Sequence, residues 1–210
     1  MSTAKIPVTV YSEVTPNPQV MKFVADKMLL GTGESAEYLS LNDTIGSSTL
    51  AEALFQFPFV EAIFITRNFV AITKNDTINW DLIHGEVRNY IVEFLQTNEV
   101  VVQSLPNNET REFSKEGQDD KVVVSIEPEI NTEQDQMIVD LLEEYVKPAV
   151  EADGGAIHFK RFDESNGIVT VVLKGACSGC PSSTATLKGG IESLLKNHLP
   201  EVSEVVALEG

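Results

Sequence analysis

Between Gln96 and Gln134 the chain loses the apolar rhythm that it keeps elsewhere. Asn, Glu, Asp, Ser and Gln dominate there, and the valine runs Val100–Val102 and Val122–Val124 are embedded among them. A segment of this composition buries too little apolar surface to offset the entropy of ordering its backbone. It reads as an acidic, flexible linker, and no single core can run through it. The chain therefore divides into a first domain at residues 1–95, a linker at 96–134 and a second domain at 135–210. The two valine runs are candidates to add strands to a neighbouring sheet edge.

In the first domain, apolar runs alternate with turn signals. Val8–Tyr11 and Met21–Val24 read as short strands. Between them, Thr15-Pro16-Asn17-Pro18 cannot continue a ladder, because its prolines lack a donor and fix φ. Ser48–Phe57 reads as a helix with Leu50, Ala51, Leu54 and Phe55 on one stripe, stopped by Pro58. Val60–Thr66 and Phe69–Lys74 read as a hairpin turning at Arg67-Asn68. Trp80–Leu95 closes the domain as a helix, with Ile83, Val87, Tyr90, Ile91 and Phe94 at helical spacing. Trp80 and Phe55 read as core anchors rather than as a docking surface.

In the second domain, Met137–Val150 reads as a helix whose inner face includes Ile138, Leu141, Leu142, Tyr145, Val146 and Val150. Asp153-Gly154-Gly155 is best explained as its stop, since glycine takes the left-handed cap, with a lining role at a binding site as the rarer alternative. Ala156–Phe162 and Gly167–Lys174 form a hairpin, Ser182–His198 a helix and Val202–Leu208 a last strand. The fold class is α+β: two small α+β domains joined by the linker.

The formal net charge is −17, from 15 basic and 32 acidic residues. Phosphate backbones and anionic lipids repel such a polyanion, so neither nucleic acid nor a membrane surface is an expected partner. No run approaches the roughly 20 apolar residues of a membrane span. Met1–Val10 carries one lysine and no apolar run, matching neither a secretory signal nor an Arg-rich transit peptide. A cytoplasmic protein is the expectation, with a processed organellar one as the alternative.

The chain has two cysteines, in Gly175-Ala176-Cys177-Ser178-Gly179-Cys180-Pro181-Ser182. The segment leaves a strand and enters a helix. Two cysteines at this spacing can aim both sulfurs at one soft ion, and Gly175 and Gly179 free the backbone to curl around it. Pro181 suits the first helical turn, and Ser182, Ser183 and Thr184 can cap it. The helix N-terminus carries partial positive charge, which lowers thiol pKa and favours an anionic metal–thiolate group.

Two thiolates leave a metal unsaturated, since a cubane or a structural zinc takes four protein ligands. His84 lies in the other domain and His158 in a strand near the helix stop. His198 lies at the far end of the helix that follows Cys180, roughly 25 Å away at 1.5 Å per residue. One chain does not complete the site; two chains related by a twofold axis do. Taken alone, the pair is also compatible with ordinary cysteines, a disulfide, half a zinc site or a redox couple. Lys188-Gly189-Gly190 sits inside a helix, where each glycine costs about 1 kcal/mol against alanine. Close packing against the sheet or a second chain would justify it.

The stretch from Ile138 to Val206 resembles the C-terminal domain of NifU, the Nfu-type module of iron–sulfur cluster biogenesis. The match is carried by Leu142, Val146, Lys147-Pro148-Ala149-Val150, Asp153-Gly154-Gly155, Val171, Leu173, Gly175 to Ser183 and Thr186-Leu187-Lys188, and finishes in Gly190-Ile191-Glu192 and Pro200-Glu201-Val202. The first domain resembles the Nfu N-terminal domain through Thr15-Pro16-Asn17-Pro18, Lys22-Phe23, Leu50-Ala51, Leu54-Phe55, Val60, Phe64, Thr73-Lys74 and Trp80. The resemblance implies a carrier rather than an enzyme. It implies a 4Fe-4S cluster, with 2Fe-2S as the alternative, held by Cys177 and Cys180 of each subunit in a homodimer. It also implies apo iron–sulfur proteins as clients and upstream cluster assembly factors as donors. Where the family usually has an acid after the paired glycines, this chain has Ala156. A thiol–disulfide oxidoreductase and a zinc-binding interaction module are the competing readings.

Overall fold

The computed structural model describes residues 7–31, 33–106, 110–115, 121–125, 128–178 and 181–209. They form two compact units, 1–106 and 107–210, each with its own sheet and core. Both units combine helices with a sheet, so the α+β expectation holds.

The first unit is an antiparallel sheet of β1 (Val10–Val14), β2 (Val20–Ala25), β3 (Ser35–Tyr38), β4 (Val60–Thr66) and β5 (Phe69–Lys74), in the order β1-β2-β5-β4-β3. The proline loop between β1 and β2 is a set of local hydrogen bonds. The Asn17 side-chain oxygen accepts from Gln19 N (3.0 Å), and the Thr15 hydroxyl donates to Asn17 O (2.8 Å). Asx geometry of this kind supplies the turn that the prolines require. Helix α1 is Leu41–Thr44 and α2 is Thr49–Leu54, with Ser48 capping Ala51 N (3.1 Å). α2 ends before the expected Phe57, because the chain ahead of Pro58 tightens into turns from Gln56 N to Ala53 O and Phe57 N to Leu54 O.

Helix α3 (Trp80–Thr97) buries Trp80, Ile83, Val87, Ile91 and Leu95, one residue per turn, on the first core. Trp80 is an anchor as expected: it meets Phe23 and Phe59 edge-on, with centroids at 6.0 and 6.3 Å, and its indole N–H donates to Gln19 O (3.0 Å). β3 and α1 have no counterpart in the sequence reading, which places nothing between Val24 and Ser48. Each is four residues long, too short to display a period.

The second unit contains β6 (Thr110–Lys115), β7 (Lys121–Ser125), α4 (Glu133–Leu141), a π-helical stretch Leu142–Val146, α5 (Lys147–Ala152), β8 (Gly155–Asp163), β9 (Ile168–Gly175), α6 (Pro181–His198) and β10 (Glu204–Glu209). The sheet order is β7-β6-β10-β9-β8. β8 and β9 are an antiparallel hairpin, whereas β10 runs parallel to β9. A parallel neighbour needs a crossover, and α6 supplies it.

From α4 to α5 the helix is continuous. Thr132 and Asp135 cap its start reciprocally, at 3.1 and 2.9 Å. Pro148 has no N–H, and its ring would strike the carbonyl four residues back. The helix answers by widening: the Lys147 N–H donates to Leu142 O, five residues back.

Residues 96–134 hold more structure than a spacer. Val101 is 1% exposed in the first core, and Gln103 N donates to Ser47 O (2.7 Å). Val122–Val124 belongs to β7, which pairs with β6, and β6 pairs with β10 at Lys115 and Leu208. An edge hairpin needs few apolar side chains, so its composition resembles that of a linker.

Candidate metal centre

Two chain segments run side by side at one end of the β8–β9 hairpin. One leaves α5 through Gly154-Gly155; the other leaves β9 through Gly175-Ala176-Cys177. Gly155 and Gly175 are strand partners, and the Ala176 N–H donates to Gly154 O (3.2 Å). Gly175 has φ +66°, a left-handed value suited to glycine, and Ser178 N donates back to its carbonyl (3.0 Å). This turn ends the strand and points the chain toward α6, which begins at Pro181. The proline stands at the first helical position, where a missing N–H costs nothing.

Cys177 lies in this turn and is 6% exposed, packed with the core that includes Ile157 and Leu173. Gly155 faces it. A Cβ on Gly155 would fall 2.7 Å from Cys177 Sγ, nearer than non-bonded atoms approach. The glycine pair therefore divides its work. Gly154, with φ +85° and its N–H donating to Glu151 O (3.1 Å), is the helix stop expected of the motif. Gly155 is a contact residue of the cysteine turn, which the sequence reading ranks as the rarer role. The available signal was the doubling itself, since a helix stop needs one glycine. Cys180 and Gly179 lie outside the described residues.

The histidines of the second unit lie on β8 and α6. His158 alternates along β8 with Ile157 and Phe159, which enter the core that holds Cys177, so it sits on the opposite sheet face. Burial pushes its pKa down to about 3, helped by the positive charges of Lys174 and Lys147. It is neutral at ordinary pH. His198, at the end of α6, stacks on Tyr145 with ring centroids 6.3 Å apart. His84 is in the first unit, 3.3 Å from the Ser12 hydroxyl. Among the described residues, no group of three or more His, Cys, Asp or Glu side chains is gathered as a metal would need.

α6 is fixed to the sheet by its inner residues Ile191 and Leu195 and by Glu192, whose carboxylate accepts from Val205 N (3.2 Å). Lys196 and that N–H hold the Glu192 carboxyl below the usual range. Gly189 and Gly190 lie on the outer side, and a Cβ on either would meet nothing within 4 Å. The crowding against the sheet expected at these glycines is absent, because the core-facing positions of the helix are elsewhere.

This arrangement provides a soft sulfur donor at the junction of a strand and a helix start, beside a wall with no Cβ. Such a donor set fits an iron–sulfur cluster or zinc and suits a hard cation poorly.

Comparison with known proteins locates the chain. Residues 10–98 match the family model for the scaffold protein Nfu/NifU N terminal, and residues 138–206 match the NifU-like domain. A NifU-like protein of Schizosaccharomyces pombe is 34% identical over 196 residues, covering 93% of this chain and 70% of that protein. The mitochondrial NifU-like protein 4 of Arabidopsis thaliana is 32% identical, and the mitochondrial NFU1 iron-sulfur cluster scaffold homolog of Drosophila ananassae 34%. Each covers 93% of this chain, which in turn spans only 64% and 63% of their lengths. A solved NifU-like protein from Saccharomyces cerevisiae is 28% identical, covering 49% of this chain and 89% of its own, with a TM-score of 0.41.

The Arabidopsis and Drosophila relatives are named mitochondrial, which overturns the expectation of a cytoplasmic protein. A compartment is set by an address that a receptor reads, so the composition of folded domains does not reveal it. Both family models, in the same order as the two resemblances read from the residues, and a third of all positions shared with a relative along nearly the whole chain give one answer: this chain belongs to the Nfu/NifU family.

Proposed function

We propose that this chain is an iron–sulfur cluster scaffold that carries a 4Fe-4S cluster between two copies, each contributing Cys177 and Cys180, and delivers it to apo iron–sulfur proteins in mitochondria. The family is one of scaffolds rather than enzymes, and relatives carry the name iron-sulfur cluster scaffold. The observation that carries the finer reading is the sulfur count. The chain has two cysteines, three positions apart, and a cubane takes four. The Cβ-free wall at Gly155 supports a turn built around sulfur.

Sharing the cargo between two copies leaves it at a surface, where a client can reach it. In transfer, a client thiol gives up its proton as its sulfur forms a bond to iron, the bond from Cys177 or Cys180 breaks, and the released cysteine takes up that proton. The exchange then repeats for the remaining ligands. Gly189 and Gly190, with open space beside them, suit close approach of the second copy along α6. The first unit, which has no cysteine, is assigned to recognition of clients or upstream assembly factors.

Anaerobic reconstitution with iron and sulfide tests the reading. The protein should turn brown, with broad visible absorption and about four irons per two chains. Zinc bound without labile sulfide, or reduction of insulin in place of iron uptake, would contradict it.

A further inference from the structure

We infer that Gly155 is the positioning residue for the Cys177 thiol: having no side chain, it leaves a berth in which the sulfur rests. The inference deepens the carrier reading above and rests on it. A glycine is demanded either by backbone conformation or by room. Gly154 at φ +85° and Gly175 at φ +66° answer to conformation. Gly155 does not, for it is a paired β8 residue outside the left-handed set.

Room is the remaining demand. Of the three atoms nearest a Cβ at Gly155, two belong to Cys177: Sγ at 2.7 Å and Cβ at 3.1 Å. The third is the Lys174 carbonyl oxygen at 2.7 Å. Cys177 is buried, at 6% exposure, whereas a ligand shared with a second copy lies outside the unit. Loading must draw it away from Gly155, and release of the cluster lets it return. The berth shelters the thiol from oxidants and stray metals in the empty interval, at the cost of an opening step before loading.

Two measurements on the full, unloaded chain test this. Cys180→Ser leaves Cys177 as the single thiol. Its alkylation should be slower than in denaturant by about tenfold or more, the signature of an opening step, and Gly155→Ala should speed it. Equal rates in native and denatured protein would overturn the berth. The second measurement is a double-mutant cycle on stability. Gly155→Ala should destabilise less when Cys177→Ala has removed the sulfur. If the loss is the same in both backgrounds, the Lys174 carbonyl alone requires the glycine, and the inference fails. Should Gly155→Ala not fold, the double variant should; failure of both to fold would also refute the berth. Neither measurement involves a cluster. Failure of the carrier reading shows separately, as absence of iron uptake by the unaltered protein.

Discussion

The two units solve the same packing problem in different ways. Each lays helices on one face of a five-stranded sheet. In the first unit every strand pairs antiparallel, and the turn between β1 and β2 closes on itself through Thr15 and Asn17 hydrogen bonds. In the second unit β9 and β10 run parallel, so the chain must leave the sheet and return through α6. The departure point is a strand end ahead of a helix start, where partial positive charge gathers. Both cysteines of the chain occur there. The lesson is topological: a hairpin end consumes its own polar groups, whereas a crossover leaves a site free for chemistry.

The sharpest way to break this contrast is at the crossover. Replacing Cys177 and Cys180 with serine should abolish iron and sulfide uptake while circular dichroism shows the fold retained. Retained uptake would move the site elsewhere. Next in size is Trp80→Ala in the first unit. It removes the indole from Phe23, Phe59 and Gln19 and should cost about 3–5 kcal/mol in denaturant unfolding of that unit. Iron uptake should persist, since the contrast assigns chemistry to the second unit; joint loss would erase the division of labour.

A smaller effect is expected from Gly190→Leu. Among the described residues a Cβ at this position would meet nothing within 4 Å, so the monomer should fold normally. A leucine there should lower the dimer fraction and the cluster content, read by sedimentation and iron analysis. Unchanged dimerisation would free the outer face of α6 from the interface.

The smallest effect concerns His158. Its pKa is depressed to about 3 in the folded chain, against an ordinary value near 6.5. The unfolded chain therefore takes up this proton first as the pH falls. The stability contributed by burying the neutral ring is complete above about pH 6.5 and declines from there toward pH 3. His158→Gln should flatten that part of the stability profile relative to the parent. An NMR titration showing His158 protonating near pH 6.5 would contradict the assignment.

Much of both units was legible because their helices and hairpins are long enough to show a period. The hairpin β4–β5 follows Val60–Thr66 and Phe69–Lys74 as read, and α6 begins one residue before the expected Ser182. Strand β3 and helix α1 escaped notice at four residues each. β6 was hidden by the polar composition that an edge hairpin tolerates, whereas the Val122–Val124 run marked β7 as a candidate edge strand. At the site, spacing pointed to Cys177 and Cys180 as candidates, but the doubled glycine only hinted at the berth and did not say which glycine forms it. A glycine chosen for room looks the same in sequence as one chosen for φ, and only the distance to Sγ separates them. The π-helical widening ahead of Pro148 was equally silent, because proline announces a disruption without its form.

The central claim is that a cubane is completed by two chains. Mössbauer spectroscopy together with native mass spectrometry on the reconstituted protein tests it most directly, since one reports cluster type and the other chains per cluster. The account predicts a 4Fe-4S spectrum and a mass of two chains plus one cluster. A stable 4Fe-4S cluster on a single chain would contradict it.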